Sequence, residues 1–261
     1  RNHASIIDGC RLSKARLIVY PHRDVAGLET RLAAAGPARR ILIVTDSLFS
    51  MDGTIAPLAD LCEVAQRHSA MLMVDEAHAT GVFGERGSGL VEAAGCSDGV
   101  HLRVGTLSKA LGTAGGFVAG HASLVSWLAH AARGWVFSTA HPPGVAAAAT
   151  RAIELVAEEP FRRQELLAGA AAFRERLAEA HHATHRCLAS DLASQIVPVI
   201  VGEPGRAVAA AERLLDAGFF VPAIRPPSVP DGESLLRISL SWHHRDDDLA
   251  RLADTLQTVL A

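Results

Sequence analysis

Apolar and polar positions alternate along the first half of the chain in blocks that read as strands and helices in turn. Leu17-Ile18-Val19-Tyr20 predicts a short strand, and Asp24 predicts the cap of a helix running through Leu28, Leu32 and Ala35 to Gly36-Pro37. Ile41-Leu42-Ile43-Val44 predicts a buried strand that empties into the polar loop Asp46 to Gly53. Leu58, Leu61, Val64 and Ala65 mark the next helix, and Met71-Leu72-Met73-Val74 the next strand. Leu102-Arg103-Val104 and Gly116 to Gly120 follow as strands, with a helix from Leu124 to Ala132 and an aromatic turn over Trp135 to Thr139. This β-α-β alternation implies parallel strands joined by right-handed crossovers, hence an α/β layered sheet.

The pattern changes in the second half. Val145 to Val156 and Phe161 to Ala180 predict two long helices. Strands are expected over Ile196 to Val201, Phe219 to Ile224 and Leu235 to Leu240, with helices from Arg206 and Asp247. That order suits a small α+β domain beside the larger one, with a boundary near residue 150: 1–150 and 151–261.

Composition narrows the class. With 261 residues, 49% of them hydrophobic, the chain buries a substantial core. Its 25 basic and 28 acidic residues are interspersed and leave a net charge of -3, so no basic face invites nucleic acid or an anionic membrane. Small-molecule chemistry is the default. Cys10, Cys62, Cys96 and Cys187 show no CxxC spacing, which points to neither zinc nor a disulfide framework and fits a reducing cytoplasm. No apolar run reaches membrane-spanning length and no signal peptide opens the chain. The chain starts at Arg1 and Asn2-His3-Ala4-Ser5, as though a preceding strand were missing, so a fragment, a processed chain or an incomplete one is expected.

Candidate chemistry concentrates in two stretches. The strand ending at Val74 runs into Asp75 and Glu76, with His78 three positions after Asp75. The strand ending at Val104 runs into Thr106, Ser108 and Lys109, enclosed by Gly105, Gly112, Gly115 and Gly116. Taken singly, a lysine is a solvated charge and an aspartate at a strand end is a cap. Together they suit pyridoxal phosphate (PLP), which needs a lysine to hold it as a Schiff base and an anion to keep its pyridine nitrogen protonated. His78 is either a turn residue or an acid-base group beside Asp75. Arg237, in the alternation Leu236-Arg237-Ile238-Ser239, either faces outward or captures a carboxylate. Gly81, Gly84, Gly87 and Gly89 lack the strand-Gly-x-Gly-x-x-Gly-helix order of a dinucleotide site. His181, His182, His185, His243 and His244 lack a carboxylate at ligand spacing and read as solvated loops. No Gly-x-Ser-x-Gly elbow is present.

Val74-Asp75-Glu76-Ala77-His78-Ala79-Thr80-Gly81-Val82-Phe83-Gly84, Thr106-Leu107-Ser108-Lys109-Ala110-Leu111-Gly112, and Ser138-Thr139 before Pro142-Pro143 resemble the α-oxoamine synthases. The resemblance covers essentially the whole chain. It implies the fold of PLP-dependent transferases of the aspartate aminotransferase type (fold type I): an α/β large domain, here truncated, plus a small C-terminal α+β domain, assembled as a homodimer. Asn2-His3-Ala4-Ser5, Phe49-Ser50-Met51-Asp52-Gly53 and Ile224-Arg225-Pro226-Pro227-Ser228-Val229-Pro230 most resemble those members that join L-alanine to a pimeloyl thioester. The acyl carrier there is CoA or a carrier protein, and the product leads to biotin.

By the same resemblance, Lys109 holds PLP covalently, Asp75 pairs with its pyridine nitrogen, His78 and Ser50 contact its phenolic oxygen, and His3 stacks over the ring. Thr106 helps to hold the phosphate, and Ser138 and Thr139 reach the phosphate of a neighbouring subunit. Arg237 binds the amino-acid carboxylate, with Arg225 and Ser228 near the acyl substrate. Lys109 is then the base, and either His78 or His3 steadies developing charge. Sister synthases that use glycine and a short acyl-CoA share this core, and a non-catalytic partner of the same fold is the reading from another class. Family members also carry an upstream phosphate-binding segment, so residues 1–261 alone are expected to bind PLP poorly, lack synthase activity and aggregate.

Overall fold

The computed structural model describes residues 1–180 and 194–260. His181, His182, His185 and Cys187 lie outside the described residues. Contacts divide the chain into two units, Arg1–Phe49 with Ala56–Pro160, and Ser50–Ile55 with Phe161–Ala261. The division thus falls after Pro160, where residue 150 was expected. One reason is visible in the last helix of the first unit, whose Val156 side chain would stand 3.8 Å from a Cβ built on Gly81.

The first unit contains α1 (Ala4–Leu12), α2 (Val25–Ala34), β1 (Leu42–Asp46), α3 (Leu58–Arg67), β2 (Met71–Asp75), α4 (Leu90–Ala93), β3 (Leu102–Thr106), β4 (Gly116–Gly120), α5 (Ala122–Ala131), α6 (Arg133–Val136) and α7 (Pro143–Glu158). The sheet order is β1-β2-β3-β4. The three strands ending in Asp46, Asp75 and Thr106 are parallel, so their carboxyl ends share one edge. Only β4 departs from the parallel arrangement expected. It pairs antiparallel with β3, because the intervening loop 107–115 is too short to hold the crossover that a parallel return requires. On α3, Leu58, Leu61, Val64 and Ala65 are the buried residues, one helical stripe as their spacing predicts.

Leu17-Ile18-Val19-Tyr20 does not form a strand. Leu17, Ile18 and Val19 are exposed, and among the described residues no strand pairs with the segment. Tyr20 instead bonds the Thr45 side chain, and burial raises its phenol pKa. The stretch is a strap tied to β1 by one side chain. Asp24 caps α2 as expected, its carboxylate accepting the Gly27 amide at 2.8 Å. The aromatic turn expected over Trp135 to Thr139 begins as the single-turn helix α6.

Glu76 braces the edge from beneath. It is fully buried, and its carboxylate accepts Ser47 Oγ at 2.8 Å, the Leu90 amide at 3.0 Å and the Val91 amide at 2.7 Å. Burial raises its pKa while these three donors oppose the rise. Gly89 makes this approach possible: its φ is +126° and a Cβ there would stand 2.6 Å from the Glu76 carboxylate. Gly89→Ala is expected to lower unfolding stability by about 2 kcal/mol or more, through both strain and displacement of Glu76. A chemical denaturation curve measures it, and an unchanged midpoint would contradict this account of the brace.

The second unit contains α8 (Phe161–Ala180), β5 (Ile196–Gly202), α9 (Pro204–Asp216), β6 (Ala223–Ile224), β7 (Ser234–Ser239) and α10 (Asp246–Leu260). Its antiparallel sheet has the order β5-β7-β6. The core joins Phe173 and Leu177 of α8, Val197 and Val199 of β5, Leu214 of α9, Leu236 and Ile238 of β7, and Leu252 and Leu256 of α10. This is the small α+β unit expected. The strand predicted over Phe219 to Ile224 shrinks to two residues. The Phe219 amide is used by Leu214 O at 2.8 Å, which closes α9, and Pro222 has no amide to give.

Candidate active site

In the first unit the site is built at the shared carboxyl edge of β1, β2 and β3. Asp75 ends β2, is 9% exposed, and its Oδ1 accepts the Ala77 amide at 2.8 Å. That bond turns the chain sharply, and the Ala79 and Thr80 amides return to Glu76 O at 2.9 and 2.8 Å. His78 sits on this turn. Its Nε2 lies 2.8 Å from Lys109 Nζ, so two residues from separate strand ends meet in one hydrogen bond. Their loops also touch, since a Cβ on Gly81 would stand 2.9 Å from Ala110 Cβ.

The Lys109 loop is held by its own backbone. Leu107 N donates to Gly115 O at 3.0 Å, Thr113 N to Leu107 O at 2.8 Å and Gly112 N to Lys109 O at 3.0 Å. Thr106 Oγ1 and Ser108 Oγ stand 2.7 Å apart, a pair of hydroxyls beside the lysine. Lys109 is exposed and His78 half-buried. The 261 residues contain two lysines, Lys14 and Lys109, so a chemistry that needs an amine has few places to go.

His3 reaches the same edge from the start of the chain. Its amide donates to Asp46 Oδ2 at 2.9 Å, and its ring caps α1, with Nδ1 accepting from Ser5 N at 3.3 Å. Asp46 ends β1 in register with Asp75, 3% exposed. Burial pushes its carboxyl up to about 6, with the Asp75 charge adding to the rise and the His3 amide opposing it. Asp46 belongs to none of the motifs above, although its place in the sequence parallels that of Asp75. β1, like β2, stops at an aspartate after an apolar run, and two parallel strands in register present equivalent positions on one face.

Ser138 donates to Gly134 O, and Thr139 is exposed beside it. Among the described residues, neither is bonded to Lys109. The second unit, taken by itself, carries Ser50, Arg225, Ser228 and Arg237. The Arg237 guanidinium donates to Ser50 O and, at 2.7 Å, to Ser239 Oγ. It is half-buried, and burial lowers its pKa. Arg225 and Ser228 lie on an exposed turn, with Ser228 N donating to Arg225 O at 3.0 Å.

The family model of aminotransferase class I and II matches residues 1–256. The chain belongs to the aminotransferase class I and II family. A curated relative in this family, 8-amino-7-oxononanoate synthase of Anaeromyxobacter dehalogenans, is 51% identical over 259 residues, covering 98% of this chain and 64% of the relative. The chain therefore spans just under two thirds of that relative's length. Among solved structures, an SPT with a PLP internal aldimine matches with a TM-score of 0.93 at 34% identity, over 99% of this chain and 64% of that one. The 8-amino-7-oxononanoate synthase of Francisella tularensis matches with a TM-score of 0.83 at 26% identity, over 98% of this chain and 72% of its own. The fold of this family member is accordingly fold type I, as its motifs implied.

The residues present suit PLP. A buried carboxylate, a lysine within hydrogen-bonding distance of a histidine, and paired hydroxyls stand at the ends of adjacent strands, which is the donor set that a pyridinium, an aldehyde and a phosphate require. Asp75, Lys109, His78, Thr106 and Ser108 could hold it.

Proposed function

We propose that this chain carries the PLP-dependent joining of L-alanine to a pimeloyl thioester, with CoA or a carrier protein as the thiol, to give 8-amino-7-oxononanoate and carbon dioxide on the route to biotin. The observation that carries the reading is the Lys109–His78 pair beside Asp75, in a chain half identical to a synthase of that name. When bound, PLP supplies an electron sink for charge developing at the amino-acid α-carbon.

The remaining work falls to side chains. Lys109 would hold the cofactor, and its Nζ, when free, would take the α-proton. His78 holds that nitrogen in place through its Nε2. The Asp75 carboxylate would pair with the pyridine nitrogen, because an anion there favours the protonated form. Thr106 would offer its hydroxyl to the phosphate, and Ser50 would support the ring oxygen. His3 would stack on the ring. Arg237 clamps the substrate carboxylate by its forked donors. Arg225 and Ser228 receive the acyl substrate.

Ser138 and Thr139 serve the neighbouring subunit of a homodimer. Trp127, Trp135 and Phe137 support that reading, being 60%, 72% and 72% exposed on or beside α5 and α6, where a second copy would cover them. No helix among the described residues is long and apolar enough to cross a membrane. Cys10, Cys62 and Cys96 are free, which suits the cytoplasm we assign.

The test is product analysis with the full-length gene product. With PLP, alanine and a pimeloyl thioester it should release thiol and form 8-amino-7-oxononanoate, with glycine or serine at least about tenfold slower, as one differing side-chain group in a shaped pocket commonly dictates. Turnover confined to glycine with a short acyl-CoA would assign a sister synthase instead.

A further inference from the structure

Two parallel strand ends carry aspartates, and the reading above uses only Asp75. Asp46 is the better buried of the two. Its Oδ2 accepts His3 N at 2.9 Å, its own amide donates to Asn2 Oδ1 at 3.4 Å, and Asn2 Nδ2 donates to Val44 O at 3.1 Å. Three hydrogen bonds thus strap Asn2-His3 across the end of β1, more than forty positions away in sequence. Ring and backbone of His3 are fixed by different partners. Nδ1 accepts from Ser5 N at the start of α1, which leaves Nε2 to carry the proton of the neutral ring.

Asp46 is also kept against stability. A carboxyl raised above its unfolded value of 3.8 lends stability that is full below that value and is lost as pH rises through about 6. At neutral pH the ionised group therefore opposes folding, with Asp75 as its like-charged neighbour and His3 N–H as its partner. Side chains of this kind collect where position matters more than stability.

We propose that Asp46 is a positioning residue for the reaction: its carboxylate clamps the backbone of His3 to the end of β1 beside Asp75, and so sets where the His3 ring stands over the cofactor. The inference rests on the function proposed above. The clamp needs an acceptor oxygen and no charge, so asparagine keeps it and alanine removes it.

The experiment compares Asp46→Ala, Asp46→Asn, His3→Ala and the double variant His3→Ala/Asp46→Ala in the full-length holoenzyme. Asp46→Ala is expected to lower kcat/KM for alanine by about ten- to a hundredfold, the range for a lost hydrogen bond to a charged group, and Asp46→Asn to recover most of it. The visible circular dichroism of bound PLP should change in Asp46→Ala and return in Asp46→Asn. In the His3→Ala background, Asp46→Ala should add less than about threefold, since coupled residues are not additive. An undiminished effect in that background overturns the inference. Should Asp46→Ala not fold, Asp46→Asn decides alone, and a loss beyond about tenfold there overturns the clamp. Failure of the parent reading is distinct: the unsubstituted protein would then neither take up PLP nor turn over alanine.

Discussion

Lys109→Ala in the full-length protein is expected to abolish exchange of alanine's α-proton with solvent and to lower synthase turnover by about four orders of magnitude or more, while the protein still folds. The lysine serves twice in the account, as covalent anchor and as base, and positioned acid-base groups alone contribute about 10²–10⁴-fold. Losing the anchor adds to that. Stability should change little, within about 0.5 kcal/mol, because Lys109 is exposed on a loop held by the backbone bonds of Leu107, Thr113 and Gly112. Measuring deuterium uptake at the α-carbon alongside thermal unfolding separates the two effects. Wild-type exchange in the variant would remove Lys109 from the chemistry.

Asp75→Asn is expected to slow the same exchange by about two orders of magnitude or more with little loss of fold, since the pyridine nitrogen loses its anion. The substitution is nearly isosteric and keeps an oxygen to accept the Ala77 amide, so the turn that carries His78 stays in place. A second consequence lies next door. The Asp75 charge contributes to raising Asp46, so the Asp46 carboxyl should move down toward its ordinary range in the variant. Carbon-detected NMR titration of the Asp46 carboxyl reads that shift. Full-speed exchange in Asp75→Asn would contradict the electron-sink role.

How far the chain could be read in advance depended on what each segment's signal was. Ile41 to Val44 and Met71 to Val74 are β-branched or apolar runs bounded by polar turns, and Leu58, Leu61, Val64 and Ala65 repeat at helical spacing. Such patterns reflect burial, which is what forms the elements, so strand and helix emerged where expected. Leu17 to Tyr20 shows the same apolar character without burial, since its side chains are left exposed and only Tyr20 is anchored. Composition cannot tell those cases apart. Phe219 and Phe220 fail for another reason: a helix end consumed the first amide, and a proline interrupted the next.

At the candidate site, Asp75, His78 and Lys109 stood out through their combination at neighbouring strand ends, and the structure brings the last two within 2.8 Å. Asp46 did not stand out, because the role proposed for it rests on a bond to a backbone amide that only the folded chain creates. Glu76 was visible as a letter, but its three donors come from Ser47, Leu90 and Val91, segments that meet only in three dimensions.

The central claim, that PLP is held at Lys109, has one direct measurement. The unsubstituted full-length protein is loaded with PLP, reduced with borohydride, digested and mapped by mass spectrometry. Among the 261 residues the competing side-chain amine is that of Lys14, on an exposed turn after α1. The account predicts one phosphopyridoxyl mark, on the peptide that carries Lys109. A mark on Lys14 or any other lysine, with the Lys109 peptide unmodified, would contradict it.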